Sequence, residues 1–184
     1  VITGDDVICD GETSVLTASG GVSFEWDGGE TTNAITVNPT SNTSIAVTVT
    51  DVNGCTDNET IPVTVNSTPV ASAGTDQTIG NGTNTSLSGS ASDGSGDYTY
   101  LWSPAAQLID ATVQNPVTVN LAATEIFTLV VTDVNTSCQG SDNVTITVTG
   151  GALSTSISAG DETLCLGENS SLTAVPSGGS GVYT

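Results

Sequence analysis

The groups able to do chemistry in this chain are carboxylates and thiols. Twenty Asp and Glu residues stand without any Lys, Arg or His, giving a formal charge of -20, and there are four cysteines. Carboxylates fall close together at Asp5/Asp6, Asp10/Glu12 and Asp93/Asp97. Glycoside hydrolysis needs two carboxyl groups about 5 to 10 Å apart in a cleft. These pairs lie instead in turn-rich stretches, where a solvated acidic surface is the better account. A nucleophilic thiol needs a base to take its proton or a cation to lower its pKa, and neither residue type is present. No catalytic residue is therefore assigned, and the chain is expected not to be an enzyme.

The cysteines, Cys9, Cys55, Cys138 and Cys165, form no CxxC spacing, and no His is available for a mixed zinc site. A disulfide formed in an oxidising, extracellular setting is the expectation. Among cations, calcium suits carboxylate and carbonyl oxygens. Asp57, Asp76, Asp161 and Glu162 are weak candidate ligands because they fall near expected domain junctions; there is no DxDxDG loop. The Gly-rich stretches GGSG and DGSGD precede neither a Lys nor a helix, so they are turns and not phosphate loops. No cofactor is expected. Eight N-x-[ST] triplets, at Asn42, Asn58, Asn66, Asn81, Asn84, Asn135, Asn143 and Asn169, could accept N-linked sugar, though a chain so rich in Ser and Thr produces a share of them by composition.

Charge also narrows the partners. Binding a phosphate backbone requires cations, which excludes nucleic acid. An anionic membrane surface would repel the chain, and no run of about 18 apolar residues is present to insert into a bilayer. The lack of Lys and Arg leaves no trypsin-type cleavage site, which suits a surface or extracellular location.

The elements that must position these groups are strands. Ile45, Val47 and Val49 alternate with polar residues, as do Ile61, Val63 and Val65, and Val144, Ile146 and Val148. A period of two marks half-buried strands, and DG, GG, NG, NP and GSG separate them as turns. No segment carries a helical period. The fold class is all-β, with about seven antiparallel strands per copy packed as a two-sheet sandwich.

Internal repetition organises the chain. GDDVICDGETSVLTA (4–18) aligns with GDETLCLGENSSLTA (160–174), and TDQTIGNGTNTSLSG (75–89) fits the same frame, so that Leu16, Leu87 and Leu172 correspond. VSFEW matches YTYLW, bringing Trp26 onto Trp102, and VTVTDVNGC matches LVVTDVNTSC. Both Trp residues are assigned to the core in preference to a sugar-stacking platform. The second copy carries about six extra residues after its Trp, within SPAAQLIDATVQ, a loop insertion. The expected domains are 1–67, a longer 68–151, and 152–184 as the opening of a third, joined end to end by short junctions. By repetition, SGGSGVYT (177–184) corresponds to SDGSGDYT (92–99), and an aromatic strand should follow it.

GDDVICDGE, SGSASDGSGDYTYLWSP and VTDVNGC resemble the PKD-like and Ig-like repeats of giant secreted and cell-surface proteins of Bacteroidota, including gliding-motility adhesins and surface fibres. The pattern runs along the whole chain, with one departure: Gly80 stands where the other copies have Cys9 and Cys165. On this alignment Cys9 and Cys55 are expected to form a structural bridge. Closing about 46 residues would contribute roughly 4 kcal/mol in the chain-entropy model. Cys138 is left either as a buried thiol or as a link to another chain or domain, and Cys165 awaits a partner outside the window. The resemblance implies a structural or adhesive section of an extracellular fibre or adhesin, acting as a semi-rigid rod. The alternative is a non-catalytic stalk, or carbohydrate-binding accessory modules, of a large secreted hydrolase. Expected partners are further repeats of the same polypeptide, identical chains in a fibre, and surface glycans.

Overall fold

The structure, a computed structural model, describes residues 1–160 and 163–179. It divides into two compact units. Unit one comprises Val1–Val70, Ser92–Tyr98 and Thr132–Gly140; unit two comprises Ala71–Ala91, Thr99–Val131 and Ser141–Thr184.

The first 66 residues form seven strands: β1 (Ile2–Thr3), β2 (Val7–Cys9), β3 (Ser14–Ala18), β4 (Ser23–Trp26), β5 (Ala34–Val37), β6 (Thr43–Thr50) and β7 (Thr56–Asn66). They make two sheets, β1-β3-β5 and β2-β7-β6-β4. Between the sheets lie Ile8, Leu16, Ala18, Trp26, Val47, Val49 and Val63. In β6 and β7 the alternation seen in the sequence points Val47, Val49 and Val63 inward while Thr and Asn side chains meet water. Each buried Val or Leu contributes about 1.5–3 kcal/mol relative to exposure.

One expectation is corrected here. The strands are not all antiparallel: β2 runs parallel to β7, with Val7 opposite Thr64 and Cys9 opposite Asn66. The first segment of the chain starts in one sheet as β1, opposite Ala18 and Thr17 of β3, and then crosses to the other as β2. The crossing occurs at Gly4, whose φ is 150° and where a Cβ would stand 2.4 Å from the carbonyl oxygen of Val15. Only glycine fits that bend.

The following strands repeat the plan: β8 (Val70–Ser72), β9 (Gln77–Gly80), β10 (Ser90–Ser92), β11 (Tyr98–Ser103), β12 (Glu125–Asp133) and β13 (Gln139–Thr149). Their sheets are β11-β12-β13-β9 and β10-β8. β13 and β9 are again parallel, Ile146 opposite Gln77 and Val148 opposite Ile79. Leu87, Trp102, Leu121, Phe127, Leu129, Val131, Val144 and Ile146 are buried in unit two. The insertion after Trp102 is more than a surface loop. It holds a short 3-10 helix at Ala105–Gln107 and buries Leu108, which bridges to the buried Thr118.

The last two strands, β14 (Gly151–Ala159) and β15 (Leu172–Gly179), form an antiparallel hairpin. Its large apolar side chains are outside: Leu153 is 73% exposed, Ile157 71% and Leu172 75%. Leu172 is the repeat-equivalent of the fully buried Leu16.

Candidate functional site: the cysteine turns and the acidic loops

Two kinds of turn hold the cysteines. In the first, Cys9 begins a four-residue turn in which Glu12 N–H donates to the Cys9 carbonyl at 3.0 Å. Cys9 N–H in return donates to a Glu12 carboxylate oxygen at 2.9 Å. Gly11, with φ 87°, takes the position that needs the left-handed conformation. In the second, Cys55 follows the tight Asp51–Cys55 turn between β6 and β7. Asp51 accepts from Asn53 N–H at 2.8 Å and Cys55 N–H at 2.9 Å. These bonds, that from Cys55 foremost, lower the Asp51 pKa.

Cys9 is bonded to Cys138, with Cα atoms 5.7 Å apart, while Cys55 and Cys165 are free and exposed. The expected Cys9–Cys55 bridge is therefore corrected. The parallel register supplies the reason. Cys9 lies beside Asn66, the last residue of β7, whereas Cys55 immediately precedes the first. Eleven strand residues at about 3.3 Å each put the two thiols on the order of 35 Å apart, far beyond the 4.4–6.8 Å between Cα atoms that a disulfide spans. Cys138 takes the place of Cys55: where the sequence left a buried thiol or a link to another chain or domain, the structure has a bond to Cys9 of the first sequence repeat.

Asp133, the repeat-equivalent of Asp51, is the most heavily engaged carboxylate. It is fully buried. It accepts from the Ser95 backbone N–H, from Ser95 Oγ at 2.8 Å, from Asn135 N–H at 2.9 Å and from Thr136 N–H at 3.1 Å. These donors, led by the Ser95 N–H and opposed by desolvation, hold its pKa at about 2. Ser95 belongs to the DGSGD stretch, so the Gly-rich turn is pinned by a carboxylate from the β12–β13 turn. Asn135 Nδ2 adds a bond to Ser95 Oγ at 2.8 Å. The sequence showed the DVN repetition without revealing this use of its Asp; the short polar residue two positions on, at Asn53 and Asn135, is the signal that could have found it.

The candidate calcium ligands do not converge. Asp57 is exposed in β7, and Asp76 spends an oxygen on Thr145 N–H at 2.8 Å. Asp161 and Glu162 lie outside the described residues. Among the described residues no three His, Cys, Asp or Glu side chains group as metal ligands do. Trp26 and Trp102 are 2% and 0% exposed, and their indole N–H groups donate to the carbonyls of Thr32 and Gln114. Neither offers a face on which a sugar ring could stack. Of the sequon asparagines, Asn42, Asn58, Asn84, Asn135, Asn143 and Asn169 are exposed, while Asn66 and Asn81 are half-buried. Asn81 and Asn135 already commit Nδ2 to bonds within the fold.

No family model matches the chain, and no curated protein matches it. Solved structures do. The three N-terminal domains of the bacteriophage RB49 highly immunogenic outer capsid protein align over 97% of this chain and 69% of theirs, at 18% identity and TM-score 0.40. Fibronectin(III)-like modules of Clostridium thermocellum CbhA align over 80% of this chain and 94% of theirs, at 11% identity and TM-score 0.39. The N-terminal four Ig domains of Dscam1 align over 97% and 59%, at 12% identity and TM-score 0.38. In class the chain is all-β and Ig-like, as its own strand order defines it. No helix among the described residues is long and apolar enough to cross a membrane.

Proposed function

We propose that this chain is a structural and adhesive repeat section of an extracellular fibre or giant surface adhesin, of the PKD-like or Ig-like kind found in Bacteroidota. Residues 1–67 and 68–151 are two sandwich repeats of a semi-rigid rod, and 152–184 opens a third. The observation that carries this reading is the Cys9–Cys138 bond, which joins a turn of the first sequence repeat to a hairpin of the second. A bond between successive repeats stiffens a tandem array, and it requires an oxidising compartment.

Other features support the same role. Both Trp side chains, Trp26 and Trp102, are spent in the core. Among the described residues the carboxylates are mostly solvated or, like Asp133, committed to holding loops. Neither arrangement provides a paired acid and base, which favours a non-catalytic role. Partners are then other repeats, identical chains or surface ligands met through exposed loops. Small-angle scattering tests the rod. A compact globule of 184 residues has a radius of gyration of about 16 Å. The rod is expected to give a clearly larger value and a linear cross-section region, and a value near 16 Å would overturn it.

A further inference from the structure

We propose that the Cys9–Cys138 bond gives the chain a covalent load path: tension applied on either side of the bond passes through it and leaves residues 10–137 unstretched. The path follows from where the bond enters and leaves the chain. Cys9 ends β2, and Cys138 immediately precedes β13. A pull from the N-terminal side runs along β2, a pull from the C-terminal side runs along β13, and the two sulfur atoms join them. The stretch between, a sequence separation of 129 residues, is a closed loop beside this path.

The contents of the loop make the arrangement consequential. It holds the whole of β3 to β12. It holds the buried Leu16, Trp26, Val63, Trp102, Phe127 and Leu129, so most of the packing of both sequence repeats lies off the path. Without the bond, the short ladders of β1 and β2, two and three residue pairs, would meet the load first. Everything after them would then follow, strand by strand. With the bond, unravelling from the N-terminal side halts at Cys9, and unravelling from the C-terminal side halts at Cys138.

The bond is also sheltered where it stands. Cys138 is 1% exposed and Cys9 is half-buried, whereas exchange needs a thiolate to reach one of the sulfur atoms. The pairing sets how much chain is shielded. A Cys9–Cys55 bond would take only part of the first repeat out of the path and leave β8 to β12 to be drawn out. The bond to Cys138 covers both repeats with one link. The load path rests on the proposed rod for its use, since a rod anchored at a surface is loaded in tension. The two fail separately, because extension under load reads covalent connectivity and scattering reads shape.

The test is force–extension of single full-length chains, held through peptide tags at the two ends and drawn without reductant. At roughly 3.3–3.6 Å per residue, residues 1–9 and 138–184 extend to about 200 Å, and all 184 residues to about 640 Å. Wild type is expected to stop at the shorter limit. The double variant Cys9→Ser, Cys138→Ser is expected to reach the longer one, about 450 Å further. It does so whether or not it folds, because a fully drawn chain keeps no structure. Wild type held at its limit has β2 and β13 pulled straight, which exposes the bond. Dithiothreitol then reduces it to two protein thiols and is itself oxidised to its cyclic disulfide, and the same length should be released. Wild type drawn to the full length without reductant would overturn the proposal. So would a limit of about 480 Å, which a Cys9–Cys55 bond would set, or a short limit that survives dithiothreitol.

Discussion

Protonating Asp133 takes away a carboxylate that accepts from Ser95, Asn135 and Thr136. Its pKa of about 2 lies below the ordinary value of 3.8, so the folded state prefers the ionised form. Stability from this group is present above the unfolded value near 3.8 and is lost as pH falls through about 2. Asp51 is shifted in the same direction by its bonds from Cys55 and Asn53. Melting temperature should therefore fall steeply between roughly pH 4 and pH 2. In Asp133→Asn that fall should shrink, because the variant cannot titrate there, and melting at neutral pH should be lower, since the amide accepts fewer bonds. An unchanged acid limb in the variant, followed by circular dichroism, would assign acid sensitivity to other carboxylates.

The strands and the bond between them separate what could be read from sequence from what could not. Loss of Cys9–Cys138 frees a loop of 129 residues, worth about 5 kcal/mol in the chain-entropy model. The double variant Cys9→Ser, Cys138→Ser is expected to lower the unfolding free energy obtained from the urea transition by that order. The double variant Cys9→Ser, Cys55→Ser should do no worse than Cys9→Ser alone. Alternation in β6, β7 and β13 announced the strands and their buried faces, and the paired Trp residues announced the core, because side-chain period reports which face is dry. It does not report a strand's neighbour or direction. The crossing at Gly4 that makes β2 parallel to β7 depends on a backbone contact with Val15, and no apolar pattern encodes it. The wrong cysteine pairing followed from that omission. Leu108 is illegible for a related reason: the stretch reads as a loop between strands, although it carries an apolar residue that reaches the core.

The charge acts on the chain as one body. With no Lys, Arg or His, no side chain offsets its neighbours, so each carboxylate added to the compact state costs self-repulsion. Among the described residues the chain tolerates this by keeping most acids exposed and by bonding the buried Asp133 to neutral donors. Screening should then stabilise the fold directly. At about 0.01 M salt the Debye length is near 30 Å, and at about 0.1 M near 10 Å, a change that spans most distances within one sandwich. Melting temperature is expected to rise with sodium chloride over this range and to level off above it. Calcium chloride at matched ionic strength should give the same rise, because the described carboxylates do not group as ligands and screening depends on ionic strength. A further stabilisation at micromolar to millimolar calcium, saturating and reversed by chelator, would instead mark a bound ion and return Asp57, Asp76, Asp161 and Glu162 to consideration. The two outcomes differ in the shape of the titration, gradual against saturating, so calorimetry across both salts decides between them.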